Sequence, residues 1–400
     1  MLELATAQAK ARRAPALGLY VHVPFCASTC DFCAFYQTKP TAEGMRGFLA
    51  GVAQEAELVV WERSVDTVFW GGGTPGLLAP RALGALGEIV LRHSRGQPQE
   101  WSVEMAPASV TPRRLTVLKE LGVTRISMGV QSFQRPLLEA LGRQHTPEQA
   151  MQAYERVRAA GFASVNLDLI FAIPGQSLDV WRADLDTAVR LQPDHVSTYC
   201  LTFEEDTALF VKHSHGRVRL DVEKEAAFYT EAWARLEAAG YAQYEISNFA
   251  RPGHECLHNL NTWRMEEWIG LGPSAASQVG GWRGSNVADL AQWRSGVDAG
   301  RRADVDRIEL TPRMLAEDSL VFGLRMNEGI DLPALRARFP AAPWENVIAL
   351  AVRLREAGLA EWDDHHLRLT LRGRLVADAV AVQIMEAMAE PVPAGTNHFE

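Results

Sequence analysis

Three of the five cysteines in this 400-residue chain fall within eight residues, as Cys26, Cys30 and Cys33 of the stretch YVHVPFCASTCDFCAF, and their spacing is C-x3-C-x2-C. Thiolates at such spacing on one loop are soft metal ligands. A structural zinc wants a closed set of four ligands, and the nearest further candidate, His22, falls within a strand-like run. An iron-sulfur cluster tolerates the deficit: held by three cysteines instead of four, it keeps one iron open to a ligand that is not protein. The residues alone leave three readings, namely such a cluster, a zinc site, or thiols that merely pack. An odd cysteine count argues against a disulfide framework.

Other chemistry-bearing residues recur at the ends of β-rich runs. Gly71-Gly72-Gly73-Thr74-Pro75 follows one of them. It lacks the Lys-Ser or Lys-Thr pair of a phosphate loop, but glycines there let backbone approach a ligand closely; a plain tight turn is the alternative. Glu104 ends another run, Gln131 follows a third, Asp168 lies on a fourth, and Arg143 offers a fixed charge suited to a carboxylate. Taken singly, each is as readily a solvated residue or a strand-end hydrogen bond.

The elements that must position them alternate in type. Strands are expected at Leu17–Val23, Val65–Trp70, Trp101–Met105, Arg125–Val130, Ser164–Phe171 and His195–Leu201. Between the first two, Met45, Phe48, Leu49, Val52, Ala56 and Val59 recur at helical spacing. Pro80–Arg92, Pro112–Leu121, Pro147–Ala160 and Leu178–Leu191 are helix-length, three of them with proline in the first turn. This alternation is the signature of a parallel α/β sheet or barrel, whose ligand site lies at the carboxyl ends of the strands. There Gly71–Pro75, Glu104, Gln131 and Asp168 would converge. A helix over Val222–Ala239 follows, then a stretch dense in His, Asn, Trp and Gly. From Thr311 to Met388 short helices and a hairpin resemble a small winged-helix domain. Five arginines against four acidic residues over Val352–Arg374 leave it no strong phosphate-binding face. Expected boundaries are an N-terminal arm 1–16, barrel 17–220, post-barrel region 221–307, winged-helix-like domain 308–390 and tail 391–400.

A net charge of −9 argues against broad nucleic-acid or anionic-membrane binding. No apolar run is long enough for a membrane span, and the Ala-rich start lacks the apolar core of a secretory signal. A cytoplasmic location is the expectation.

The cysteine spacing on a loop after the first strand, with aromatic Phe32 before the last cysteine, resembles the radical S-adenosylmethionine (SAM) superfamily. That resemblance implies a partial (β/α)6 barrel and a [4Fe-4S] cluster on Cys26, Cys30 and Cys33, its open iron chelated by the amino and carboxylate groups of SAM. It further implies Gly72, Gly73 and Thr74 against the SAM amino group, and Glu104 near the ribose or amine. Gln131, Arg143 and Asp168 fill the remaining polar positions, Tyr20 and Phe32 flank the cofactor, and the Cys200 backbone borders the adenine. YVHVPFC, CDFCAF, FWGGGTP, RISMGVQSF and LDLIFAIPGQ stand in the order and spacing of the oxygen-independent coproporphyrinogen III oxidase-like subfamily, over about Tyr20 to Met388.

True oxidases of that subfamily carry a fourth cysteine two positions beyond the third and a longer N-terminal arm. Here Phe35 holds that position and only about twenty-five residues precede Cys26. Both departures point to the HemW-type haem chaperones, whose C-x-HNLxYW signature is matched by Cys256-Leu257-His258-Asn259-Leu260-Asn261-Thr262-Trp263. Thr262 replaces an aromatic residue, and Ala276 stands where many relatives have histidine. The implied function is binding of the cluster, SAM and haem, with haem delivered to an apo-haemoprotein acceptor and an electron donor as a further partner. His258 is then a candidate axial ligand, with Trp263 over the porphyrin face. On residues alone His258 reads as a structural histidine, and Cys200 and Cys256 as packed thiols. Two alternatives stand beside this: oxidative decarboxylation of coproporphyrinogen III, and a zinc-bearing structural protein.

Overall fold

The computed structural model describes residues 15–215, 222–302, 305–363 and 365–389. The expected tail and all but the last two residues of the expected arm lie outside them. Six strands, β1 (Leu17–Val23), β2 (Thr67–Gly72), β3 (Glu100–Met105), β4 (Arg125–Gln131), β5 (Ser164–Phe171) and β6 (His195–Cys200), pair in sequence order, each parallel to the next. The crossovers carry α1 (Ala42–Glu57), α2 (Pro80–Ser94), α3 (Pro112–Glu120), α4 (Arg135–Ala140) with α5 (Pro147–Ala159), and α6 (Leu178–Leu191).

Strand alternation divides the sheet into two faces. Leu19, Val21, Val68, Trp70, Trp101, Val103, Ile126, Met128, Val165, Leu167 and Val196 are wholly buried. Phe48, Val52 and Ala56 of α1 are buried too, as their helical spacing requires. The alternate positions carry Glu100, Ser102 and Glu104 on β3, Arg125 and Ser127 on β4, Asn166 and Asp168 on β5, and His195 and Ser197 on β6. These polar side chains meet one another: Asn166 Nδ2 donates to Ser127 Oγ at 2.7 Å, and His195 Nδ1 lies 2.6 Å from Asn166 Oδ1. Local chemistry sets the helix starts. Thr41, Thr111 and Ser177 each cap a helix through the side-chain oxygen, and Thr146 forms a capping box with Gln149.

After β6 come α7 (Ala208–Ser214), α8 (Val222–Ala238), β7 (Ala242–Gln243), β8 (Asn248–Ala250) and α9 (Leu257–Trp263), then β9 (Glu267–Leu271), β10 (Ala276–Val279), β11 (Trp282–Ser285), α10 (Leu290–Asp298) and β12 (Val305–Glu309). The strand order is β12-β11-β10-β9-β1-β2-β3-β4-β5-β6-β8-β7, so the sheet is open and both flanks of the six-strand core are covered by residues that follow it. β9 runs parallel to β1, whereas β8 is antiparallel to β6.

The second compact unit comprises Tyr244–Ile246, Trp263–Met265 and the chain from Leu310. It holds α11 (Pro312–Gly323), β13 (Ile330–Asp331), α12 (Leu332–Arg338), α13 (Trp344–Glu356), β14 (Ala360–Trp362), β15 (His366–Leu369), α14 (Leu371–Arg374) and α15 (Ala377–Met388). Its three strands form an antiparallel sheet in the order β13-β15-β14, and Leu320, Trp344, Leu350, Leu354, Leu367 and Ile384 build its own core. This is the winged-helix-like arrangement expected from the sequence.

Candidate functional site

The cysteine loop leaves β1 through Pro24, which ends the ladder because it has no N–H to donate. The loop is tied at its base: Cys26 N–H donates to Thr38 O at 3.0 Å, and Thr38 N–H to Pro24 O at 2.7 Å. His22, buried beneath it, reaches the Tyr36 carbonyl through Nε2 at 3.1 Å while Nδ1 lies 3.1 Å from the Tyr20 hydroxyl. Burial holds this imidazole below its ordinary pKa, so it serves as a neutral bridge. Phe32 packs against a cluster that includes Leu137, Leu141, Ile170, Leu201 and Leu209.

All five cysteines lie among the described residues and none is in a disulfide; the three on this loop are half-buried. Burial pushes the Cys26 and Cys33 thiols up; the Thr74 hydroxyl, 3.5 Å from Cys26 Sγ, and the Phe35 backbone beside Cys33 pull them back. Cys26 and Cys33 both feel Cys30, and the Arg143 guanidinium opposes that mutual repulsion. Its Nη1 donates to Cys30 Sγ at 3.4 Å and its Nη2 to Gly129 O at 2.7 Å. Among the described residues no group of three or more His, Cys, Asp and Glu side chains could hold a single metal ion. Three free thiols close enough to repel one another, two of them hydrogen-bonded by other side chains, are a donor set that fits a multi-iron cluster. Phe35, where a fourth cysteine stands in the oxidases, is 68% exposed.

The triglycine stretch is stitched to the same loop. Gly73 N–H donates to Val23 O and Thr74 N–H to Phe25 O, both at 2.8 Å. A Cβ on Gly73 would lie 2.7 Å from Phe25 O, and one on Gly72, whose φ is +100°, 2.5 Å from the His22 ring. These glycines are therefore required by the approach of one chain segment to another. The Gly72 backbone N–H bonds Glu104, whose carboxyl is pushed up to about 8, first by burial and then by Asp168. Burial also raises Asp168, against the Arg125 charge and donors from Asn166 at 2.8 Å and Ser127 at 3.1 Å. Tyr20, its ring stacked with Phe69, has its hydroxyl raised by burial and by Glu104.

Gln131 has a φ of +68°, in the left-handed region, at a register shift between Gly129 and Gln131. Strain of this kind at a strand end commonly re-aims a side chain. Its amide nitrogen folds over Gly129, where an added Cβ would meet it at 2.9 Å and Arg143 Nη2 at 3.6 Å. Contacts thus run from Cys26 through Thr74, Gly72 and Glu104 to Asp168, and from Cys30 through Arg143 and Gly129 to Gln131. A rim with two carboxyls along one part and a guanidinium on another suits a ligand bearing both an amine and a carboxylate.

His258 is not brought to that rim. It is 8% exposed, with Nδ1 3.0 Å from Thr67 Oγ1, its ring 5.4 Å from that of Phe69, and Gly18 leaving room for its edge. Thr67 and Gly18 stand at the amino ends of β2 and β1, opposite the cysteine loop. Burial brings the imidazole down to about 4. Glu100 seats the start of α9, accepting the N–H groups of Leu257 at 2.9 Å and His258 at 3.1 Å. Thr262 turns its hydroxyl back to the His258 carbonyl. Trp263, in the second unit, stacks on Phe322 with the Arg325 guanidinium 5.1 Å from its ring centroid. Ala276 lies on β10, where its carbonyl accepts from Trp268 Nε1 at 3.1 Å. Cys256 is buried; Cys200 is half-buried and pushed up to about 12 by burial. Sequence reasoning passed over Arg125, although polar residues at every second place of otherwise apolar strands, as in RISM and NLDL, mark the inner face.

Residues 20–188 match the family model of the Radical SAM superfamily, and residues 310–376 that of the HemN C-terminal domain. The chain is 32% identical over 367 residues to the Heme chaperone HemW of Bacillus subtilis (strain 168), covering 90% of this chain and 97% of that one. To the protein of the same name from Mycobacterium tuberculosis (strain ATCC 25618 / H37Rv) it is 37% identical over 372 residues, covering 91% and 93%. Among solved structures, the coproporphyrinogen III oxidase HemN of Escherichia coli superposes with a TM-score of 0.80 at 24% identity, over 95% of this chain and 93% of that one, a likeness of fold. The chain belongs to the HemW-type family within the coproporphyrinogen III oxidase-like radical SAM proteins.

Proposed function

We propose that this protein binds a [4Fe-4S] cluster through Cys26, Cys30 and Cys33, binds SAM on the adjoining rim, and binds haem for delivery to an apo-haemoprotein. The observation that carries the reading is the convergence of three free thiols with Gly72, Thr74, Glu104, Asp168, Gln131 and Arg143 at one end of one sheet. The cluster would supply one-electron chemistry and an open iron for a chelating ligand, with reducing equivalents from a separate electron donor. The chain's own residues do the rest. Thr74 and Arg143 hydrogen-bond the sulfurs, Glu104 and Asp168 receive the cationic amine, and Arg143 offers a charge for the carboxylate. Tyr20 and Phe32 support the rim and loop from within.

Haem contact at His258 carries a conformational requirement. Its imidazole is enclosed and bonded to Thr67, so an axial bond to haem iron needs α9 to leave the strand ends. His258→Ala tests this: a shifted Soret band or weakened haem binding supports the ligand role, and an unchanged spectrum and affinity move the site elsewhere. A cytoplasmic location is part of the proposal. No described helix is long and apolar enough to cross a membrane.

Function is tested by a haem titration beside anaerobic incubation with coproporphyrinogen III, SAM and an electron donor. Haem binding without decarboxylation is expected, because Phe35 replaces the fourth cysteine and small misplacements of a reacting group already cost large rate factors. Multiple turnovers to protoporphyrinogen IX would overturn the chaperone reading in favour of the oxidase.

A further inference from the structure

Asp31 lies in the loop between two of the proposed cluster ligands, and its N–H, its carbonyl and one carboxylate oxygen are each engaged. Its N–H donates to Leu141 O at 3.1 Å, its carbonyl accepts the Leu209 N–H at 2.8 Å, and its carboxylate accepts Lys212 Nζ at 2.6 Å. Leu209 and Lys212 both belong to α7, a helix outside the repeating βα units. Leu209 is buried in the apolar cluster that also receives Phe32, the residue after Asp31. The segment from Cys30 to Cys33, closed by a Cys33 N–H to Cys30 O bond at 3.2 Å, is therefore gripped by α7 on one side and by the chain at Leu141 on the other.

We infer that Lys212 and Asp31 form a charge latch that fixes this loop and sets how readily a cluster on it accepts an electron. The inference rests on the cluster reading above. An electron added beside a bare carboxylate is opposed by its charge; Lys212 neutralises that carboxylate, while Arg143 supplies a separate positive charge at Cys30. The ion pair is partly exposed, at 43% and 30% for the two side chains, so its influence is modest and weakens with salt. Lys212 and Asp31 are thus positioning residues.

The test compares the reconstituted wild-type protein with Lys212→Met, Asp31→Asn and the double variant. Midpoint potential is followed by EPR at low ionic strength, and iron release to a chelator is followed in parallel. Lys212→Met is expected to move the potential negative and Asp31→Asn to move it positive, with the double variant returning near wild type. Iron release should quicken several-fold in all three. A loop that is merely loosened gives shifts of the same sign in both single variants, which would overturn the latch, as would unchanged potentials. Wild-type protein that takes up no iron and sulfide overturns the cluster reading and the latch with it.

Discussion

Glu100 and Glu104 stand on the same face of β3, at opposite ends of it, and have different neighbours. Glu100 accepts two N–H groups from the start of α9 and faces the Cys256 thiol at 3.6 Å. Glu104 receives the Gly72 N–H, faces another carboxyl, and is held largely protonated near neutral pH. The amino ends of the strands are thus closed by hydrogen bonds within the fold. The carboxyl ends keep free thiols, a backbone outlier and two carboxyls disfavoured in their charged form. Glu100 is matched by donors within the fold, whereas Glu104 and Asp168 are both raised by burial, Asp168 in spite of its donors Asn166, Ser127 and Ser197, and such a pair suits a cationic ligand.

Substitutions can break this contrast, the most severe at the thiol end. Cys30→Ala is expected to abolish the brown chromophore and the reduced-state EPR signal after reconstitution, while Cys200→Ala keeps both; full occupancy in Cys30→Ala would sink the ligand assignment. At the closed end, Glu100→Ala strips α9 of its acceptor and should cost about 2–4 kcal/mol in denaturant unfolding, with iron uptake retained. Loss of iron uptake with intact stability would reverse the roles given to the two ends.

A subtler effect is a pH dependence that arises at Glu104. Because the folded state holds a proton on Glu104 up to about 8, where the unfolded chain releases it near its ordinary 4.5, the native protein binds the extra proton between those values. Stability therefore falls as pH rises through that window, and Glu104→Gln should flatten the slope. An unaltered slope would place the titrating group elsewhere. The smallest change expected is for Thr67→Val, which removes the partner of His258 Nδ1 and should cost about 1–2 kcal/mol. No loss at all would argue that α9 is seated by Glu100 alone.

Much of this contrast is legible in the sequence. Leu17–Val23, Ser164–Phe171 and Leu178–Leu191 appear with the bounds expected from the sequence. The thiol end could be anticipated because cysteine spacing and strand-end polar residues are local signals. The closed end was legible only in part: on residues alone His258 reads as structural and Cys256 as packed, but their seat could not be read, since its bonds join Glu100 to residues more than 150 positions away. The strands β9 to β12 escaped for a related reason: they span four or five residues each, and their identity comes from pairing with β1 or with one another.

That pairing has a consequence in time. β1, which leads into all three clustered cysteines, acquires its second neighbour only when β9 has been made, about 250 residues later, or roughly 10–50 s at ordinary ribosomal speeds. Until then one side of β1 is an open edge able to recruit other chains. A nascent chain halted before residue 267 would carry the three loop thiols beside a strand not yet enclosed, so the proposed cluster is expected to load only after β9 has been made.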